Sequence, residues 1–102
     1  MIHVIATVEL VGGKKSQYLE ELKKVIPDVR AEIGCLEYSP TDDVATDIPV
    51  QEPVNDNVMT IIERWADIKA LNNHLKTSHM KTYREATKSV VKGLRVRILK
   101  PL

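Results

Sequence analysis

No phenylalanine occurs anywhere in this 102-residue sequence, and the other aromatics are one Trp and three Tyr. A core must therefore be built from Ile, Val, Leu, Met and Ala. There is a single cysteine, Cys35, so no disulfide can form within the chain and no CxxC pair exists for metal or redox chemistry. No apolar run approaches the length needed for a membrane-spanning helix. The N-terminus lacks a basic region followed by a long apolar stretch, so no secretory leader is expected and the cytoplasm is the expected compartment. Charge of one sign is also lacking. The net charge of +1 argues against a general nucleic-acid binder, and neither nucleic acid nor membrane is an expected partner.

What is present is enough for one domain, residues 1–102, with 43% hydrophobic residues. A domain this small buries only about two thirds of its unfolded surface, so a second subunit covering apolar area would help it. The charges are sorted along the chain. Between Arg30 and Arg64 there is no Lys or Arg, while eight acids occur; from Arg64 onward there are ten basic residues and only Asp67 and Glu85 as acids. Such runs are either solvated faces or an acidic segment that meets a basic one, within or between subunits.

The hydrophobic period changes along the chain. Ile2, Val4, Ala6, Val8 and Leu10 alternate as a strand that Gly12-Gly13 ends. Tyr18, Leu19, Leu22, Val25, Ile26 and Val29 recur at helical steps, with Pro27 expected to kink or break that helix near Ile26. Cys35–Ser39 reads as a strand with Leu36 and Tyr38 on one face. From Pro40 to about Asn57 no period survives. A loop of this length in so small a domain tends to be functional or to cover something, and Val44, Ile48, Val50 and Val54 give it something to bury. Val58–Trp65 is the clearest strand. Asp67 and Ser78 look like N-caps of two short helices, the first with an Ile68, Leu71, Leu75 stripe, and Gly93 is expected to end the second. Leu94, Val96 and Ile98 alternate with Arg95 and Arg97 in a last strand. The order β-α-β-β-α-β, with the second helical region split, is the ferredoxin-like arrangement of an α+β protein. One face of its sheet is left bare in a monomer, which predicts a sheet-to-sheet dimer.

Few residues offer chemistry. His74 and His79 are five apart with a helix cap between them, so they cannot share a face as a zinc pair does, and no metal site is expected. Phosphate-loop and dinucleotide fingerprints are absent. Cys35 reads as a small packed hydrophobe and Asp42-Asp43 as solvated charge. What remains is a cluster where the third strand meets the later helices: Glu63 and Trp65 on one strand face, His74, and His79 with Tyr83 on one helical face. Such a set is either core plugging with helix-end histidines or an apolar pocket with a few convergent polar groups.

These residues carry a family likeness. The run Ile62-Glu63-Arg64-Trp65, then Leu71 and His74-Leu75, then Ser78-His79-Met80-Lys81-Thr82-Tyr83, resembles the antibiotic biosynthesis monooxygenase domain. The opening Val4-Ile5-Ala6, the Gly34-Cys35 step and the closing Arg97-Ile98-Leu99-Lys100-Pro101 extend the likeness over nearly the whole chain. It is nearest to the bacterial quinol monooxygenase branch. The resemblance implies a homodimer of ferredoxin-like subunits forming an α+β barrel, with a pocket in each subunit between sheet and helices. It implies oxidation of a quinol or an electron-rich phenol by dioxygen, with no flavin, haem or metal cofactor. Haem-degrading relatives place an iron-ligating His about one turn beyond His79, where this chain has Tyr83-Arg84-Glu85. Polyketide oxygenases carry a Trp that Trp65 resembles, and an Asn where this chain has Ile61.

A quinol reacts slowly with oxygen until it loses a proton, so the pocket needs a base. His79 is the first expectation for it, His74 the alternate, with Glu63 orienting either and Trp65, Tyr83 and Met59 walling the substrate. One objection is that a helix N-terminus disfavours imidazolium. The competing readings are a non-catalytic stress or metabolite-binding dimer on the same fold, and a purely structural dimer with a filled core.

Overall fold

The structure is a computed structural model describing residues 1–102. Strand β1 (Ile2–Leu10) leads through a glycine turn to helix α1 (Lys15–Arg30). Strands β2 (Cys35–Thr41) and β3 (Val58–Trp65) follow, then α2 (Ile68–Leu75), α3 (Ser78–Thr87) and β4 (Val91–Leu99). The four strands form one antiparallel sheet in the order β2-β3-β1-β4. The split βαβ order expected from the periodicity is present.

The alternation in β1 and β3 decides which face the helices cover. Val4, Ala6, Val8 and Leu10 are buried on one side, and Met59, Ile61, Glu63 and Trp65 on the same side of β3. Register turns these into rows across the sheet. Tyr38, Glu63, Val4 and Ile98 form one row, and Pro40, Ile61, Ala6 and Val96 the next. Above them α1 contributes Tyr18, Leu22, Val25 and Val29. α1 meets α3 where the rings of Tyr18 and Tyr83 stand edge-on, 6.1 Å apart.

Several expectations change. Pro27 does not break α1, which runs on to Arg30. Pro27 sits in the last turn on the exposed face, so the missing donor frees a carbonyl at exposed Lys23 that water can satisfy. Leu36 does not share a face with Tyr38. The register slips between Cys35 and Glu37, making Leu36 the extra residue of a bulge that turns it outward. Gly93 does not end a helix. It lies within β4 opposite Glu9, and α3 stops at Thr87. Thr77, not Ser78, caps α3, its hydroxyl accepting from the Met80 amide, whereas Asp67 caps α2 through Ala70 as expected. α2 buries Ala70, Leu71 and His74, leaving Ile68 and Leu75 half exposed. Gly34 has a specific steric role: its φ is +86°, and a Cβ there would fall 2.6 Å from the Ala70 Cβ. Only glycine lets α2 lie this close to the start of β2.

No helix is long and apolar enough to cross a membrane.

Candidate functional site

A cavity of about 320 Å³ lies between the sheet and the two later helices. That is the lower end of the size range of small-molecule sites. The two rows just described, without Pro40 and with Val8 and Leu94, make its floor, and Leu71, Leu75, Met80, Tyr83 and Arg84 make its roof and rim. Aliphatic side chains dominate because the strands that supply the floor place every second residue on this side. Glu63 is the one carboxyl in the lining.

Glu63 is buried, and its Oε1 accepts a hydrogen bond from the Trp65 indole Nε1–H at 2.9 Å. Both residues stand two apart on one face of β3, so the contact is built into the strand. Burial pushes the Glu63 carboxyl up to about 7; the Trp65 donor pulls the other way, and the charge of Glu32 adds to the rise. A carboxyl titrating near neutrality can take up and release a proton under ordinary conditions. Tyr38 and Tyr83 bring phenol groups to the same lining, and burial raises both. The Tyr83 hydroxyl is held by that of Tyr18 at 2.5 Å. Arg84 donates to the Leu75 carbonyl at 3.0 Å and is the cation in the lining.

Behind this wall lies a second polar cluster. Glu32, in the turn after α1, accepts on a single oxygen from His74 Nδ1–H and from His79 Nε2–H, each at 2.8 Å. His74 is buried, with its ring 4.5 Å from that of Trp65 and 5.7 Å from that of Tyr38. Burial lowers the His74 pKa, against the opposing pull of the Glu32 hydrogen bond and charge. The cluster ties the α1–β2 turn to α2 and to the start of α3.

Comparison with known proteins gives this geometry a context. The family described as antibiotic biosynthesis monooxygenase matches residues 1–86. The chain belongs to the antibiotic biosynthesis monooxygenase family. "Probable quinol monooxygenase YgiN" of Escherichia coli K12 is 37% identical over 99% of this chain and 98% of its own length. Among solved structures, PA3566 from Pseudomonas aeruginosa superposes with a TM-score of 0.83 at 25% identity, covering 99% of this chain and 93% of that one. Rv0793 from Mycobacterium tuberculosis gives 0.82 at 24% identity over 99% and 94%, a likeness of fold.

Within this family member the six residues singled out from sequence are not all at one place. Glu63 and Tyr83 line the cavity; His74, His79, Trp65 and Met59 do not. His79 opens instead onto an outer groove between α1 and α3, beside Glu21, Lys24, Asp28 and Thr82. His74 lies behind Trp65, and Trp65 reaches the cavity only through Glu63. Met59 is buried one row beyond Ile61. The carboxylate that orients both histidines is Glu32, not Glu63. Nothing near Glu32 or Arg84 in sequence marks them: one is an acid in an acidic stretch, the other a base in a basic one. Tyr38 was visible only as an inward strand residue.

Proposed function

We propose that this monooxygenase-family protein oxidises a quinol or a related electron-rich phenol with dioxygen, without a prosthetic group, and works as a homodimer. The observation that carries the reading is Glu63, the one carboxyl, titrating near 7, in a largely apolar cavity. The neutral quinol is a poor electron donor, and loss of one phenolic proton makes it a good one. Glu63 in its carboxylate form takes that proton. The phenolate then gives electrons to dioxygen, and Glu63 returns the proton to the reduced oxygen. If no oxygen atom is kept, quinol and dioxygen give quinone and hydrogen peroxide. If one is kept, they give a hydroxyquinone and water. The role assigned first to His79 thus passes to Glu63, and the two histidines act as braces for the wall behind it.

A positioned base contributes roughly 10²–10⁴-fold. The test is oxygen uptake by purified protein with a simple naphthoquinol, using wild type and Glu63→Gln. The proposal expects uptake that rises with pH through about 7 in wild type and a loss on the order of 10²-fold or more in the variant. Naphthoquinol binding with no uptake above the uncatalysed rate would favour a binding module instead.

A further inference from the structure

The cavity is roofed over most of its floor but not over β4. Leu94, Val96 and Ile98 form that side of it and are 61%, 49% and 54% exposed. A row of three aliphatic side chains facing water on an unpaired edge strand is a surface that invites cover. The chain carries a second uncovered apolar group, the loop of residues 42–57. That loop is held to itself: the Gln51 amide donates to the Val44 carbonyl at 2.6 Å, and Asp43 accepts from the Asn55 amide at 2.9 Å. These bonds fold the loop on itself, while Val44, Ile48 and Val50 stand 70%, 56% and 90% exposed. The loop does not lie over its own cavity, since none of its residues lines it. The expectation that its valines bury something is thus unmet within one chain.

Charge and topology say what each surface fits. The loop holds Asp42, Asp43, Asp47, Glu52 and Asp56 and no Lys or Arg; residues 88–100 hold Lys88, Lys92, Arg95, Arg97 and Lys100 and no acid. Asp42 pairs with Lys15 and Arg95 with Glu9. Asp47, Glu52 and Asp56 on the one side, and Arg97 and Lys100 on the other, find no opposite charge within the chain. The two unpaired edges of the sheet are β2 and β4, and the loop leaves directly from the end of β2. In a homodimer that set the β2 edge of one copy beside the β4 edge of the other, the loop would be carried to the open side of the partner's cavity.

We infer that the 42–57 loop of each copy closes the β4 side of the other copy's cavity, apolar side chains against Leu94, Val96 and Ile98, acids toward Lys100 beyond the end of that row. Each cavity is then complete only in the dimer, and the loop bounds the space left for a substrate. This rests on the homodimer proposed above, and its test does not read activity. In a Cys35→Ser background, one tagged chain carries Val50→Cys and a differently tagged chain carries Val96→Cys. The mixed protein is treated with a short bismaleimide. The expected result is a covalent product of the two tags, in several-fold higher yield than with Ile33→Cys in place of Val96→Cys. A protein that is dimeric by light scattering but gives no such excess overturns the loop assignment and leaves the dimer standing. A link formed within one chain carrying both cysteines, in preference to a link between chains, also overturns it. A monomer by light scattering overturns both. On the unmodified protein, hydrogen exchange should be slowed in residues 42–57, and free-peptide rates there would refute the inference independently of any variant.

Discussion

Replacing Glu63 by glutamine should stabilise the protein in a way that depends on pH, and the size follows from the site. The carboxyl titrates near 4.5 in the unfolded chain and is pushed up to about 7 in the folded one, chiefly by burial. Below about 4.5 both states are protonated and wild type carries no penalty. As pH rises toward 7 the unfolded chain releases this proton while the folded one keeps it, so wild type loses stability; above 7 the loss is complete. A difference of between two and three pKa units corresponds to about 3 kcal/mol. The glutamine side chain does not titrate, and its amide oxygen can still accept from the Trp65 indole. The advantage of Glu63→Gln over wild type should therefore grow by about 3 kcal/mol between pH 4 and pH 8. In a domain of this size that is a shift in melting temperature of roughly 10 °C or more. The assay is urea unfolding of both proteins at several pH values and one protein concentration, followed by the fluorescence of Trp65, the only tryptophan. Every other titrating group is shared, so it cancels in the difference. A constant offset between the two proteins across that pH range would refute the placement of a buried, near-neutral carboxyl at this site.

Trp65→Phe removes the hydrogen bond that favours the Glu63 carboxylate, so the pH midpoint of quinol oxidation should move up by about one unit or more; a midpoint that stays put would separate Glu63 from the chemistry. Glu32→Ala strips the shared acceptor from His74 and His79 and leaves a buried donor without a partner, so unfolding free energy should fall by about 1–3 kcal/mol. If the histidines are braces, its turnover at saturating quinol should change far less than that of Glu63→Gln, and an equal loss would restore them as candidates for the base.

Much of the fold was legible in the periodicity. Strict alternation in Ile2–Leu10 and Val58–Trp65 marks the two central strands and also places Glu63 beside Trp65 on the covered face, because a strand offers only two sides. The Asp67 cap was readable for the same local reason. Errors arose where one residue shifts the count. The bulge at Leu36 reverses a side chain that simple alternation puts inside, and nothing in Cys35-Leu36-Glu37 announces it. Glycine ends helices, which makes Gly93 read as a stop, yet an edge strand accepts it equally well.

The sequence by itself determined the strands, the helices, the inward rows and the presence of a few titrating groups among aliphatic ones. Helical spacing establishes that His79 and Tyr83 share a face, but not what that face meets. Only the packing of α3 against α1 decided that His79 turns to an outer groove while Tyr83 borders the cavity. Only the docking of the α1–β2 turn on α2 and α3 brought Glu32 to two histidines more than forty residues away in sequence. The near-neutral carboxyl belongs to the same class: Glu63 is an ordinary acid in a linear chain, and it is the burial created by the packed sheet and helices that withholds water from it and lifts its pKa.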